Sequence, residues 1–248
     1  MNKLYKGDCL EVMKTIPDNS IDAIITDPPY GTTACKWDSV IDFDLMWEQL
    51  NRIIKPNGAI VLFSSQPFTS SLVMSNVKNY KHEWIWQKNI GSNFANTVRE
   101  PMKEHESVLI FSTKKWTYNR IMQERAEGGK ARAKHKVTHN NNHREGTRKF
   151  EGREAHKISD LRVPSSVQKF NVQRGLHPTQ KPVLLMEYLI KTYTNENETV
   201  LDFTMGSGST GVAAKNLNRN FIGIEMDDKY FDIATERINK EEPQKELF

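Results

Sequence analysis

Short apolar runs alternate with amphipathic stretches along most of this 248-residue chain. Ile21 to Ile25 is such a run and predicts a buried strand over 21–26. Ala59–Phe63, Glu83–Gln87, Ser107–Phe111, Thr199–Phe203 and Asn220–Glu225 read the same way, with a shorter strand at 3–6. Between them the spacing turns helical. Cys9 to Ile16 places Leu10, Val12, Met13 and Ile16 on one face, behind Asp8 as N-cap. Phe43–Ile54 repeats the pattern with Leu45, Met46, Leu50, Ile53 and Ile54, and stops before a turn at Lys55-Pro56-Asn57-Gly58. Further helices are predicted over 67–77, 183–193 (opened by Pro182), 209–217 and 229–238. Strands alternating with helices predict an α/β fold with a mainly parallel, doubly wound sheet and no internal repeat. Trp84 and Trp86 share one face of their strand, which predicts core packing.

The pattern breaks after Lys114. Residues 120–160 are nearly free of aliphatic side chains and rich in Arg, Lys, Asn, His and Gly, a composition that predicts loop-like or disordered chain. Charge separates the same region. The whole chain carries a formal +4, but residues 114–174 hold 16 Lys and Arg against 6 Asp and Glu. The remainder is acidic, 19 against 25. A basic block in an acidic chain is the footprint of a polyanionic partner. Arg120, Arg125, Arg132, Lys134, Lys136, Arg144 and Arg148 are the candidates to contact phosphates and bases. His135, His139 and His143 recur every fourth residue, but the asparagines between them and the lack of cysteine argue against a metal site. Two cysteines, Cys9 and Cys35, suit a reducing compartment. No run reaches membrane-span length and the first residues lack a signal-peptide core, so a cytoplasmic protein is expected.

Two strand exits carry the chemistry. Strand 21–26 ends in Asp27-Pro28-Pro29-Tyr30. The prolines hold the exit extended and remove two N–H groups, leaving a carboxylate, free carbonyls and an aromatic ring together. Strand 199–203 ends in Asp202-Phe203-Thr204-Met205-Gly206-Ser207-Gly208-Ser209-Thr210-Gly211, a G-x-G-x-x-G turn between strand and helix. Glu225 closes the next strand, where an acid binds ribose hydroxyls. The spacing fits a nicotinamide dinucleotide or a nucleoside cofactor such as S-adenosylmethionine. A dinucleotide fold normally opens with this unit, whereas here it comes last.

Asp27-Pro28-Pro29-Tyr30, the basic insert, His177-Pro178-Thr179-Gln180-Lys181-Pro182 and the Asp202–Gly208 turn, in that order, resemble the beta group of DNA amino-methyltransferases of bacteria and phages. The resemblance covers about residues 4–113 and 175–240. It implies a Rossmann-like S-adenosylmethionine-dependent sheet, formed by 1–113 and 175–248, with a basic target-recognition insert at 114–174. It implies that Asp27 and the Pro28 carbonyl accept hydrogen bonds from the target amino group, with Pro29 completing the motif and Tyr30 stacking on an extruded base. It implies that Asp202, Phe203, Gly206, Gly208 and Ser209 form the S-adenosylmethionine turn, that Glu225 holds the ribose, and that Asp8, beside Cys9, meets the adenine. Thr179 and Lys181 fall in the segment near the methionine end. Asp-first motifs favour adenine N6 over cytosine N4. One departure stands out: the family commonly has Asp-Pro-Phe where this chain has Asp202-Phe203-Thr204. Trp37 and Asp38 could line the base pocket or anchor their loop. Gln244-Lys245-Glu246-Leu247-Phe248 is similar to peptides that dock on replication sliding clamps. Members of the family are often dimers, so the resemblance extends to a homodimer. Double-stranded DNA is the expected partner. A nicotinamide oxidoreductase and a non-catalytic DNA-binding protein are the competing readings.

Overall fold

A computed structural model describes residues 2–31, 39–134, 160–176 and 178–240. In chain order the elements are β1 (Asn2–Lys6), α1 (Cys9–Met13), β2 (Ile21–Thr26), α2 (Phe43–Ile53), β3 (Ile54–Ser64), α3 (Phe68–Ser75), β4 (Tyr80–Ser92) and β5 (Lys103–Phe111). Then come β6 (Gln123–Glu124), α4 (Glu127–Lys134), β7 (Leu161–Arg162), β8 (Val167–Lys169), α5 (Val183–Tyr193), β9 (Thr199–Asp202), α6 (Ser209–Asn216), β10 (Asn220–Glu225) and α7 (Asp228–Lys240). Two compact units emerge: residues 1–119 with 166–248, and residues 120–165.

The larger unit is built on one eight-stranded sheet, in the order β1-β10-β9-β2-β3-β5-β4-β8. Neighbours are parallel from β1 to β3 and again between β4 and β8, while β5 runs antiparallel to β3 and β4. All six residues of β2 are buried, as an apolar strand between two parallel neighbours requires. Alternation along it feeds two layers. Ala23 and Ile25 join Leu189, Ile190, Val212 and Ile238 on the side of α5, α6 and α7. Ile24 joins Met13, Leu50, Ile53 and Phe68 on the side of α1, α2 and α3. Trp84 and Trp86 are buried in the first layer, as their alternation predicts.

Three elements depart from expectation. Lys55-Pro56-Asn57-Gly58 does not separate helix from strand: β3 starts at Ile54, and the extra residues are absorbed as a register shift between Ile21↔Ile54 and Ala23↔Ala59. Strand β8 lies in the stretch assigned to the insert. Val167–Lys169 pairs with β4, and Trp116, Phe170 and Val172 pack on the first layer. The smaller compact unit is therefore Arg120–Ser165, narrower than the 114–174 read from charge. Charge extends over strand and loop alike, whereas packing depends on a few apolar anchors. Within the smaller unit, the 120–160 region read as loop-like contains β6 and α4; β6 pairs with β7 just beyond it, and Arg125 N donates to the Asp160 carbonyl at 2.7 Å.

Candidate active site

β2 and β9 are adjacent and parallel, and their continuations diverge. The chain leaves β9 through α6 to β10 on one side, and leaves β2 through α2 to β3 on the other. That divergence is a topological switch point, where an open α/β sheet leaves a crevice beyond its strand ends. A cavity of roughly 240 Å³ occupies it. Asp27, Pro28, Pro29, Tyr30, Asp8, Cys9, Thr179, Lys181, Asp202, Phe203, Gly206, Ser209 and Glu225 all line it.

The Gly-rich turn is braced by carboxylates. Asp202 is 4% exposed. Its Oδ1 accepts from the Thr26 hydroxyl at 2.6 Å and the Thr204 amide at 3.1 Å, and its Oδ2 accepts from the Thr210 hydroxyl at 2.5 Å. Burial pushes its pKa from 3.8 up to about 6, against these donors. Glu225 accepts from the amides of Gly206 (2.9 Å), Met226 (2.9 Å) and Asp227 (2.8 Å), so its carboxylate is fixed at the end of β10. Asp8 Oδ1 caps α1 through the amides of Leu10 (2.9 Å) and Glu11 (3.2 Å). Burial pushes the Cys9 thiol up to about 12, so it is no nucleophile near neutral pH.

The exit of β2 is braced differently. The Tyr30 hydroxyl donates to Asp27 Oδ1 at 2.5 Å, and its ring stacks on Phe68 with centroids 5.1 Å apart. Lys181 Nζ donates to Asp27 Oδ2 and lies 3.4 Å from Glu106 Oε2. Glu106 Oε1 accepts from Lys88 Nζ at 2.5 Å. Burial raises the pKa of Asp27; the Lys181 charge offsets part of that rise, and Glu106 adds to it. Burial alone would lower the Lys181 ammonium, but Asp27 and Glu106 hold it above its ordinary value. Glu106 is pushed up by burial and pulled below its ordinary value by Lys181 and Lys88. The two exits are linked. Thr204 Oγ1 donates to the Asp27 carbonyl at 3.1 Å and lies 2.6 Å from Thr26 Oγ1.

Several expected residues take other places. Gly208 does not line the cavity. It sits at φ +79° ahead of α6, where an added Cβ would lie 3.0 Å from Ala234 Cβ, so it serves the turn and the approach of α7. Phe203 is buried among the second core layer while bordering the cavity, and Thr204 supplies the polar link at the departure from Asp-Pro-Phe. Lys181, read as lying toward the methionine end, is bonded to Asp27. In the smaller unit Arg120 is exposed and Arg125 half-buried, and Arg132 and Lys134 lie on α4. Lys136, Arg144, Arg148, the three histidines, Trp37, Asp38, His177 and Gln244–Phe248 lie outside the described residues. Among the described residues no cluster is placed to hold a metal, and no helix is long and apolar enough to cross a membrane.

Sequence reasoning missed Thr26, Thr204, Thr210, Lys88 and Glu106. The threonines had a signal in their positions beside the two motifs. Glu106 had a weaker one, an acid directly ahead of the apolar run Ser107–Phe111.

The DNA methylase family of N6 and N4 methyltransferases matches this chain over residues 21–236. The type II methyltransferase M.HpaI of Haemophilus parainfluenzae is 30% identical over 256 residues, which cover 96% of this chain and 74% of that protein. The type II methyltransferase M.HinfI of Haemophilus influenzae is 29% identical over 272 residues, covering 98% and 70%. The crystal structure of the M1.HpyAVI–SAM complex aligns with a TM-score of 0.66 at 30% identity, covering 96% of this chain and all of that one. The PvuII cytosine-N4-specific DNA methyltransferase, at 16% identity and a TM-score of 0.64, shares the fold.

Proposed function

The chain belongs to the N6/N4 family of S-adenosylmethionine-dependent DNA methyltransferases, and on that premise we propose that it methylates the N6 amino group of adenine in duplex DNA, on a base turned out of the helix. The observation that carries this reading is Asp27, a carboxylate at the end of a central strand, facing the same cavity as the Gly-rich turn of the neighbouring strand. The Asp-first form of the motif favours adenine over cytosine.

The residues present fit the cofactor. Acceptors stand at the ends of β1, β10 and β9, in Asp8, Glu225 and Asp202, around a glycine turn that lets backbone come close. Asp8 would meet the adenine amino group, Glu225 the ribose hydroxyls, and Gly206 and Ser209 the body of the nucleoside. When bound, S-adenosylmethionine supplies an electrophilic methyl group on a sulfonium.

The chain's own part is to prepare the nitrogen. An exocyclic amine is a poor nucleophile because its lone pair is delocalised into the ring. Asp27 and the Pro28 carbonyl accept its two N–H groups and favour a pyramidal nitrogen with the lone pair free. Tyr30, backed by Phe68, offers a ring on which the turned-out base stacks. The nitrogen sheds a proton as it gains the methyl group, and Asp27, with its pKa raised by burial, is placed to hold it. Arg120 and Arg125, with the basic residues around them, contact the DNA backbone from the 120–165 unit, which reads the target.

Incubation with unmodified genomic DNA and labelled S-adenosylmethionine, followed by digestion to nucleosides, tests the reading. N6-methyladenine is the expected product. N4-methylcytosine would move the substrate to the other base, and no transfer to any DNA would refute the function.

A further inference from the structure

We infer, on the reading that Asp27 grips the target amino group, that Glu106 is a positioning residue for the transfer: it takes up part of the Lys181 charge, so that Asp27 remains a strong acceptor. Four charges alternate from the cavity wall into the sheet, Asp27, Lys181, Glu106 and Lys88. Their side chains are 21%, 8%, 15% and 10% exposed. Lys181 Nζ lies 5.2 Å from the Phe63 ring and Lys88 Nζ 5.0 Å from the Trp86 ring, so both ammonium groups are packed on aromatic faces as well as paired.

Glu106 Oε2 is sealed from solvent and, among the described residues, receives no hydrogen bond of good geometry, with the Lys181 ammonium 3.4 Å away. A buried carboxylate oxygen in that state costs stability, which the neighbouring ammonium groups offset only through their charge. A glutamine could still accept from Lys88, though without the charge. What it could not do is divide the Lys181 charge. A carboxylate facing an undivided ammonium gives up acceptor strength toward a neutral N–H, and the loss of one negative charge beside this cavity leaves it less favourable to a sulfonium. The groups that face Asp27 are Tyr30 on its own exit, Lys181 ahead of α5, Glu106 on β5 and Asp202 on β9.

The test uses the full chain with Glu106→Gln, Glu106→Asp and the double variant Glu106→Gln/Lys88→Met, in which no ammonium is left facing a missing carboxylate at Lys88. Methyl transfer to unmodified genomic DNA is followed against pH, and binding of S-adenosylmethionine and of the neutral thioether S-adenosylhomocysteine is measured by calorimetry without DNA. Glu106→Gln is expected to lower kcat about tenfold. It is also expected to move the acid limb of kcat/KM down by on the order of one pH unit, because a like charge beside Asp27 is lost. It should weaken the sulfonium ligand about fivefold more than the thioether. The double variant should show the same displacement, and Glu106→Asp should keep the parent's limb. A limb and an affinity ratio equal to the parent's in both Gln variants would overturn the inference while leaving the enzyme's function standing. A parent that methylates no DNA would overturn both.

Discussion

Two neighbouring strands end in an aspartate, and the two carboxylates are held in opposite ways. Asp202 is enclosed by neutral donors, the hydroxyls of Thr26 and Thr210 and the amide of Thr204. These bonds tie β9 to β2 and to the first turn of α6, so Asp202 works as a brace. Asp27 faces the cavity and is held by a cation and a phenol. Burial raises both pKa values, but only at Asp27 does a countercharge oppose it. The same residue type at equivalent strand ends thus gives a fixed brace in one case and an acceptor able to exchange partners with a ligand in the other. The surroundings decide the role.

The largest expected effect separates the two directly. Asp27→Ala should lower methyl transfer by about 10³-fold or more while affinities for DNA and S-adenosylmethionine stay within a few-fold of the parent. Single-turnover rates with separate binding titrations check this, and transfer at the parent rate would remove Asp27 from the chemistry. Since burial raises the Asp27 pKa, the parent's acid limb should lie above the ordinary carboxylate range.

Asp202 should betray itself in stability. Its pKa of about 6 in the fold exceeds the ordinary 3.8, so the folded state binds the proton more tightly. Its contribution therefore favours the fold below about pH 4 and is lost as pH rises through 6, a swing on the order of 3 kcal/mol. Asp202→Asn should flatten that part of the pH dependence in denaturant titrations at pH 4 and 7. An unchanged slope would contradict the burial argument.

Tyr30→Phe keeps the ring on Phe68 and deletes the hydroxyl that holds Asp27. It should lower kcat by roughly ten- to a hundredfold, the range of about 1.5–3 kcal/mol for one lost hydrogen bond to a charged group. Tyr30→Ala should cost more, because the stacking surface goes too. The smallest effect belongs to Gly208→Ala. Its strained φ and the tight contact with Ala234 should destabilise the fold by about 1–2 kcal/mol, with cofactor affinity changing less than in substitutions at Glu225. Thermal denaturation and calorimetry together would show whether Gly208 serves packing or binding.

Much of this was legible along the chain. The buried β2, the helix over 43–53 with its periodic Met46, Leu50 and Ile53, and the G-x-G-x-x-G turn all follow from local period and turn chemistry. Element ends were less so: β4 and β5 extend well past Glu83–Gln87 and Ser107–Phe111, because an antiparallel ribbon continues as long as its ladder is satisfied, whatever its side chains. Val167–Lys169 was unreadable as a strand, since three residues in a basic stretch carry no period. It forms because the edge of β4 offers a ladder.

What the sequence by itself determined was the order of the main strands and helices, the two acidic strand exits and the resemblance they carry, since each depends on residues within a few positions of one another. What only the tertiary structure decided was which groups those exits face. Asp27 and Lys181 lie 154 positions apart, Thr26 and Asp202 176 apart, and Glu106 reaches the cavity from a strand two places away from β2 in the sheet. Such pairings come from strand order and burial, and an isolated buried charge cannot exist without them. The motif named the acceptor, and the packing of the sheet supplied the charges that set its strength.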